Sequence, residues 1–387
     1  MGLLERIFGK KRREARRALE ASVRATLEAR GPTEAWQKLS ASLAADRDPV
    51  DLFHLAAHVL RLGGELALAE LFDRAADAPH DPQRLFELGT ELLSADEAAL
   101  SAAMLERALA FAPFDAMVRS ELALAHARTG RPDRVVETLA LHPCLGDDPG
   151  ALFSFAWASL LRGDLGSAED ALNELRAAPP LEEKLRSAID RARLGMASDP
   201  PDARDWLFVE HGALLLDAGG PLGGRYDALE AGPAWMSAIL AQARWLLPEL
   251  APSARRVIAI DEAHRPLAEA VARACDAELI DPGKGRIPAA IVPLRSGEAM
   301  KVLSREDLDA RDALLFALTV DFTRALPRVP DVIGAFARTV TRTAELDAHP
   351  SEADPSLSAF IEPRRAHLRP SVIPARTAYV PDEPLPR

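Results

Sequence analysis

Two carboxylates and a histidine follow the hydrophobic run that opens VIAIDEAH, Val257 to His264, as Asp261, Glu262 and His264. A strand ending on paired carboxylates can hold a divalent cation and orient a water toward a phosphate. That chemistry also needs a cradle of backbone N–H groups, a GxxxxGK[ST] loop between strand and helix. No such loop precedes Val257, and the later Pro282–Gly283–Lys284–Gly285 lacks both the spacing and the hydroxyl. Metal-assisted nucleotide hydrolysis is therefore not expected. His54 and His58 stand four apart, a spacing that sets two imidazoles on one helix face where a metal could bind. No HExxH glutamate accompanies them and no third ligand is evident, so they read as surface or groove histidines. No metal and no cofactor is expected.

The chain that must position these residues has 387 of them, 48% hydrophobic and 27% charged, enough for two domains and a tail. No apolar run approaches the ~20 residues that cross a bilayer. The start, MGLLERIFGKKRREARR, lacks the apolar core of a secretory signal, and Arg6 stands where a myristoylation motif needs Ser or Thr. Cys144 and Cys275 are far apart without metal-type spacing and read as reduced thiols, which suits a cytoplasmic protein. Net charge is −12, but residues 1–30 carry nine Lys or Arg against four Glu, a net of +5 that leaves −17 for the rest. An acidic body excludes the broad basic footprint of a nucleic-acid binder. Residues 1–16 read as a basic helix capping the helical half of the chain, with Leu3 and Ile7 docked on its neighbour. The other use of that helix, contact with an anionic membrane surface, has only about two apolar turns to support it.

From there to residue 197 a pattern recurs every ~34 residues. Its clearest copy runs from Asp81 to Pro113. Leu85, Leu88, Gly89 and Leu92 share one helix, and Leu105 and Ala108 the next, which Pro113 ends. Copies in phase cover 49–80, 116–148 and 149–180, with a weaker one at 17–48, and glycines fall where each first helix must stop. One helix pair cannot bury its own apolar faces, so the pairs must stack into a solenoid. The helix over 181–196 reads as its cap. Over residues 17–195 the chain resembles the tetratricopeptide repeat family, although Val59, Leu92 and His126 stand where that family carries a tyrosine. The resemblance implies a concave surface lined by the first helices. Counting along the copies puts Phe53, Ala57 and Leu60, then Phe86, Thr90 and Leu93, then Phe153, Trp157 and Leu160 on it. With aromatics only 5% of the chain, Phe53, Phe86, Phe153 and Trp157 are the partner-binding candidates. The occupant is a protein or peptide partner, or the chain's own second domain.

That domain, 203–349, alternates strands with helices, which predicts an α/β fold with a largely parallel sheet. The run 206–220 reads as a strand pair or as strand and turn, 236–250 as a helix, 254–261 as a strand and 266–277 as a helix. Strands follow at 278–280, 289–294 and 313–320, then a helix at 331–346. Residues 350–387, rich in Pro, read as a disordered tail. Over residues 250–345 the run RVIAIDEAHRPLAEAVARACDAELI looks like the strand, loop and helix of type I phosphoribosyltransferases. The resemblance implies a second loop at LLFALTVDFTRALP that cradles a ribose phosphate. Asp321 and Thr323 are in register there, while a second acidic residue and the glycines are missing. The sequence thus describes a cytoplasmic interaction adaptor: a tetratricopeptide-like solenoid followed by a smaller, noncatalytic α/β domain. The alternative is a phosphoribosyltransferase-like or nucleotide-binding enzyme recruited through its repeats.

Overall fold

A computed structural model describes residues 3–45, 50–175, 179–195, 201–281, 290–303, 313–322, 326, 328–342 and 355–368, without the side chains of 3–13, 302, 342, 355, 356, 358 and 366. Two compact units divide the chain, Met1–Pro179 and Pro180–Arg387. Among the described residues no helix is long and apolar enough to cross a membrane.

The first unit consists of helices joined in antiparallel pairs: α1 (Leu3–Arg30) with α2 (Pro32–Ala45), α3 (Phe53–Leu62) with α4 (Leu66–Asp77), and α5 (Pro82–Ser94) with α6 (Ala98–Phe111). The pairs α7 (Ala116–Arg128) with α8 (Pro132–Leu139), and α9 (Pro149–Leu161) with α10 (Leu165–Glu174), complete it. The basic start is thus the opening of one long helix, and the side chains of Leu3 and Ile7 lie outside the described residues. Aspartates start the later helices: Asp81, Asp115, Asp148 and Asp164 each accept a hydrogen bond from a backbone N–H of the first turn. The same turn closes four successive pairs. The N–H of Glu65, Glu97, Arg131 and Asp164 reaches back to the carbonyl of Leu60, Leu92, His126 and Ser159. That bond requires a left-handed residue just before the donor, supplied by Gly64, Gly130 and Gly163 and, in the second copy, by Asp96 at φ 64°. Between α5 and α6 the approach is close. A Cβ on Gly89 would lie 2.7 Å from Leu105 Cγ, and Ser101 Oγ donates to the Gly89 carbonyl at 2.7 Å. A continuous apolar core runs from Val23 on α1 to Val118 on α7.

The second unit opens with α11 (Pro179–Ala192), which the sequence assigned to the end of the solenoid. Its Arg191 donates from Nε and Nη2 to the carbonyls of Val209 and Glu210, satisfying the end of α12 (Ala203–His211). Residues 206–211 are therefore helical rather than a strand; Asp202 and Asp205 form the capping box that starts α12, and Gly212 ends it. Among the described residues the sheet has seven strands: β1 (Leu214–Asp217), β2 (Arg225–Ala231), β3 (Arg256–Ile258), β4 (Glu278–Ile280), β5 (Ile291–Leu294), β6 (Leu314–Val320) and β7 (Val332–Arg342). Their order is β1-β7-β6-β5-β3-β4, and every pairing is parallel. β1 and then β2 pair along the same side of β7, opposite β6. Helices α13 (Pro233–Leu250) and α14 (Arg265–Cys275) make the crossovers around β3.

β7 replaces the helix expected over 331–346. It is buried from Val332 to Ala337, and a Cβ on Gly334 would meet the Leu318 carbonyl oxygen at 2.3 Å. Ladder partners on both sides outweigh the helical spacing of its apolar residues. Part of the stretch expected to be disordered, 350–387, is ordered. Residues 355–367 form α15 (Pro355–Ile361) and a 3-10 turn. Phe360 packs edge-on against Phe208, and Arg364 lies 4.3 Å from the Phe360 ring centroid. Residues 369–387 lie outside the described residues.

His126, on α7 of the fourth pair, is buried, with neither ring nitrogen hydrogen-bonded and Glu106 Oε1 3.7 Å from Nε2. Burial outweighs the Glu106 charge and lowers its pKa from 6.5 to about 4. A histidine depressed in the folded state leaves stability intact above the unfolded pKa and erodes it as pH falls from 6.5 toward 4. Denaturant titrations should show His126→Leu abolishing up to about 3 kcal/mol of acid sensitivity across that window. Equal acid sensitivity in both proteins would refute this assignment.

Candidate functional site

The four aromatic candidates do not share one open face. Phe53 is completely buried, edge-on to Phe72 at 5.7 Å, and Phe72 in turn meets Trp36 at 5.9 Å. Ala57, Leu60, Leu93 and Leu160 are buried as well. The first-helix stripe that was counted as groove therefore supplies much of the core, because a short helix packed between two neighbours has little face left over. Phe86 is half-buried between two core clusters. Phe153 and Trp157 come together: they are half-buried on α9 and stacked at 5.4 Å with 28° between their planes.

The spacing argument missed a different apolar group. In Phe111–Ala112–Pro113–Phe114–Asp115–Ala116–Met117, the turn from α6 to α7, Phe114 is 83% exposed, Met117 67% and Phe111 46%. The corresponding turn from α8 to α9 exposes Leu141. His80, at the turn from α4 to α5, sets its ring 5.2 Å from Phe111. Phenylalanines on both sides of a helix-ending proline were the available signal, since Phe111 closes α6 and Phe114 stands in the turn beyond it.

His54 and His58 are both exposed, and His54 Nδ1 lies 3.1 Å from Asp73 Oδ1. Partial burial would raise the Asp73 carboxyl, but bonds from Arg61 and His54 outweigh it and hold the pKa below its ordinary value. His58 instead borders an open groove of about 800 Å³ with Leu27, Pro32 and Leu62. Among the described residues no group of three metal-binding side chains occurs.

In the second unit the loops after β3 and β5 leave toward opposite sides, so the crevice between them is the switch point where parallel sheets bind ligands. Asp261 follows β3. Its Oδ1 accepts from the backbone N–H of His264 at 2.9 Å and lies 2.7 Å from His264 Nδ1, contacts that lower its pKa. The carboxylate thus faces inward to the start of α14, and Arg265 bridges Glu262 and Asp281 beside it. Asp321 follows β6 half-buried, while Thr323 and Pro282–Gly285 lie outside the described residues.

A cleft of about 450 Å³ lies at the end of β1. Asp217 anchors it. Oδ1 accepts from Gly219 N–H at 2.8 Å, and Oδ2 from the Tyr226 hydroxyl at 3.0 Å and Trp235 Nε1 at 2.7 Å. Burial, with the Asp217 charge, pushes the Tyr226 phenol up to about 12. Arg204 spends Nε and Nη2 on the carbonyls of Leu215 and Leu216. A separate buried pair, Glu210 and His211, lies with 3.2 Å between Oε2 and Nε2, and burial raises the glutamate's pKa.

No family model matches this chain, and no curated protein sequence is significantly similar to it.

The chain has two tyrosines, so Tyr379→Phe leaves Tyr226 as the sole phenol. In that background the tyrosinate absorbance should be less than half developed at pH 10.5, and Asp217→Asn should move the transition toward the ordinary value of about 10. A transition at the ordinary value before the Asp217 change would show that the carboxylate does not hold this hydroxyl.

Proposed function

We propose that this chain is a cytoplasmic interaction adaptor whose tetratricopeptide-like helical unit captures a polypeptide partner. The observation that carries this reading is the exposed group Phe111, Phe114 and Met117 within one turn between helix pairs. Isolated exposed apolar residues are ordinary, but three large ones in seven residues form a patch of the kind that marks a contact surface. Aromatic and methionine side chains anchor interfaces because they bury a large area for few rotatable bonds. The stacked Phe153–Trp157 pair offers a second anchor on α9, at two of the positions expected from the repeat pattern. The α/β unit is read as noncatalytic.

A second reading, a phosphoribosyltransferase-like or nucleotide-binding enzyme, is favoured by one observation. An all-parallel sheet places the Asp261–His264 pair beside its switch point, and His264 Nε2 is buried without a hydrogen-bond partner.

Phe114→Ser and Met117→Ser should leave thermal stability within about 0.5 kcal/mol, because both side chains are exposed. Under the adaptor reading the double variant loses a specific partner captured by the unmutated protein, with an affinity loss of about thirtyfold or more. Phe53→Ala should instead destabilise the fold by about 3–5 kcal/mol. Undiminished capture by the double variant would remove the turn from the binding surface. Micromolar binding of a nucleotide or phosphoribosyl pyrophosphate, lost in Asp261→Asn, would favour the enzyme.

A further inference from the structure

We infer that the cleft at the end of β1 is a binding site for a small organic ammonium compound. Two carboxylates, Asp202 and Asp217, border it, and neither forms an ion pair among the described residues. Asp217 is held by three neutral donors, which orient it without cancelling its charge. The one cation in the lining, Arg204, directs two of its donors into backbone carbonyls of β1. The cleft therefore carries excess negative charge in a partly desolvated setting, where an opposite charge is most strongly attracted.

The second observation is independent of the acids. Gln242, only 7% exposed, also lines the cleft, and its buried Oε1 has no hydrogen-bond partner. A buried amide oxygen left unpaired is costly unless something donates to it. A ligand N–H meets that need while its charge meets Asp217. Trp235, fixed by its bond to Asp217, presents an indole to the same space, and Ile239 supplies an apolar wall. An ammonium group carrying a compact apolar or aromatic body matches the charge, the unpaired acceptor and the indole together. The position, beyond the carboxyl end of a parallel strand, is where such sheets take ligands.

The test is calorimetric titration of the full chain at neutral pH with three probes of one shape: benzylamine, benzyl alcohol and benzoate. Trp235 indole N–H shifts are followed by nuclear magnetic resonance. Benzylamine should bind saturably and move the Trp235 signal, while the alcohol binds at least tenfold more weakly and benzoate does not bind. Gln242→Leu removes the acceptor but not the wall, and should weaken benzylamine about tenfold or more. If that variant unfolds, Ala238→Leu, which narrows the cleft from α13, must abolish binding in its place. Absence of saturable benzylamine binding, equal or tighter binding of benzoate or the alcohol, or undiminished affinity in the folded variants would each overturn the assignment.

Discussion

The first unit depends on a backbone bond made four times. At the closures from α3–α4 to α9–α10 an N–H reaches five residues back across a left-handed residue, which turns the chain sharply enough to lay the second helix along the first. With the turn set, side-chain size decides how closely the helices approach. Between α5 and α6 the absence of a side chain at Gly89 brings Leu105 against the backbone, and the apolar core extends from there in both directions. Helices of this length are marginal alone and gain stability only by packing on their neighbours. That is why Phe53 is core: a helix between two others uses its large residues to hold the stack. The large apolar side chains left most exposed, such as Phe114 and Leu141, lie where packing stops, at the turns.

In the second unit β7 takes the corresponding role. Its length allows β1 and β2 to pair in succession on one side while β6 pairs on the other. Asp331 fixes its start. That buried carboxylate accepts from the Leu315 N–H, and Arg328 lies within 3.0 Å, while the Asp331 backbone bonds to both Leu315 and Leu214. Burial raises the Asp331 pKa against the opposing pull of Arg328 and the Leu315 amide. The break between β1 and β2, along with the start of α13, opens the cleft around Asp217.

The repeats were legible in the sequence because their signals are local. Turn glycines and the small–large alternation each act within a few residues, and they agreed with one another. The parallel class of the sheet was legible from alternating strands and helices. β7 was not, because Val332, Phe336 and Val340 fall at helical spacing and only its sheet neighbours decide otherwise. For α12 a local signal existed, Asp202 and Asp205 three apart, but the apolar run behind it imitates a buried strand. The cleft could not be read from the chain, since Asp202, Asp217 and Gln242 come from three separate segments. The exposed turn at Phe114 was missed because counting a periodic face directs attention to helices.

The central claim is that the turn between α6 and α7 contacts another polypeptide. Its most direct test is a photo-crosslinking amino acid placed at Phe114 of the full chain in its native cell, with the same group at exposed Asn173 on α10 as reference. The account predicts one discrete crosslinked polypeptide from position 114 and none from 173. No crosslinked species at 114, or the same species at both positions, would contradict it.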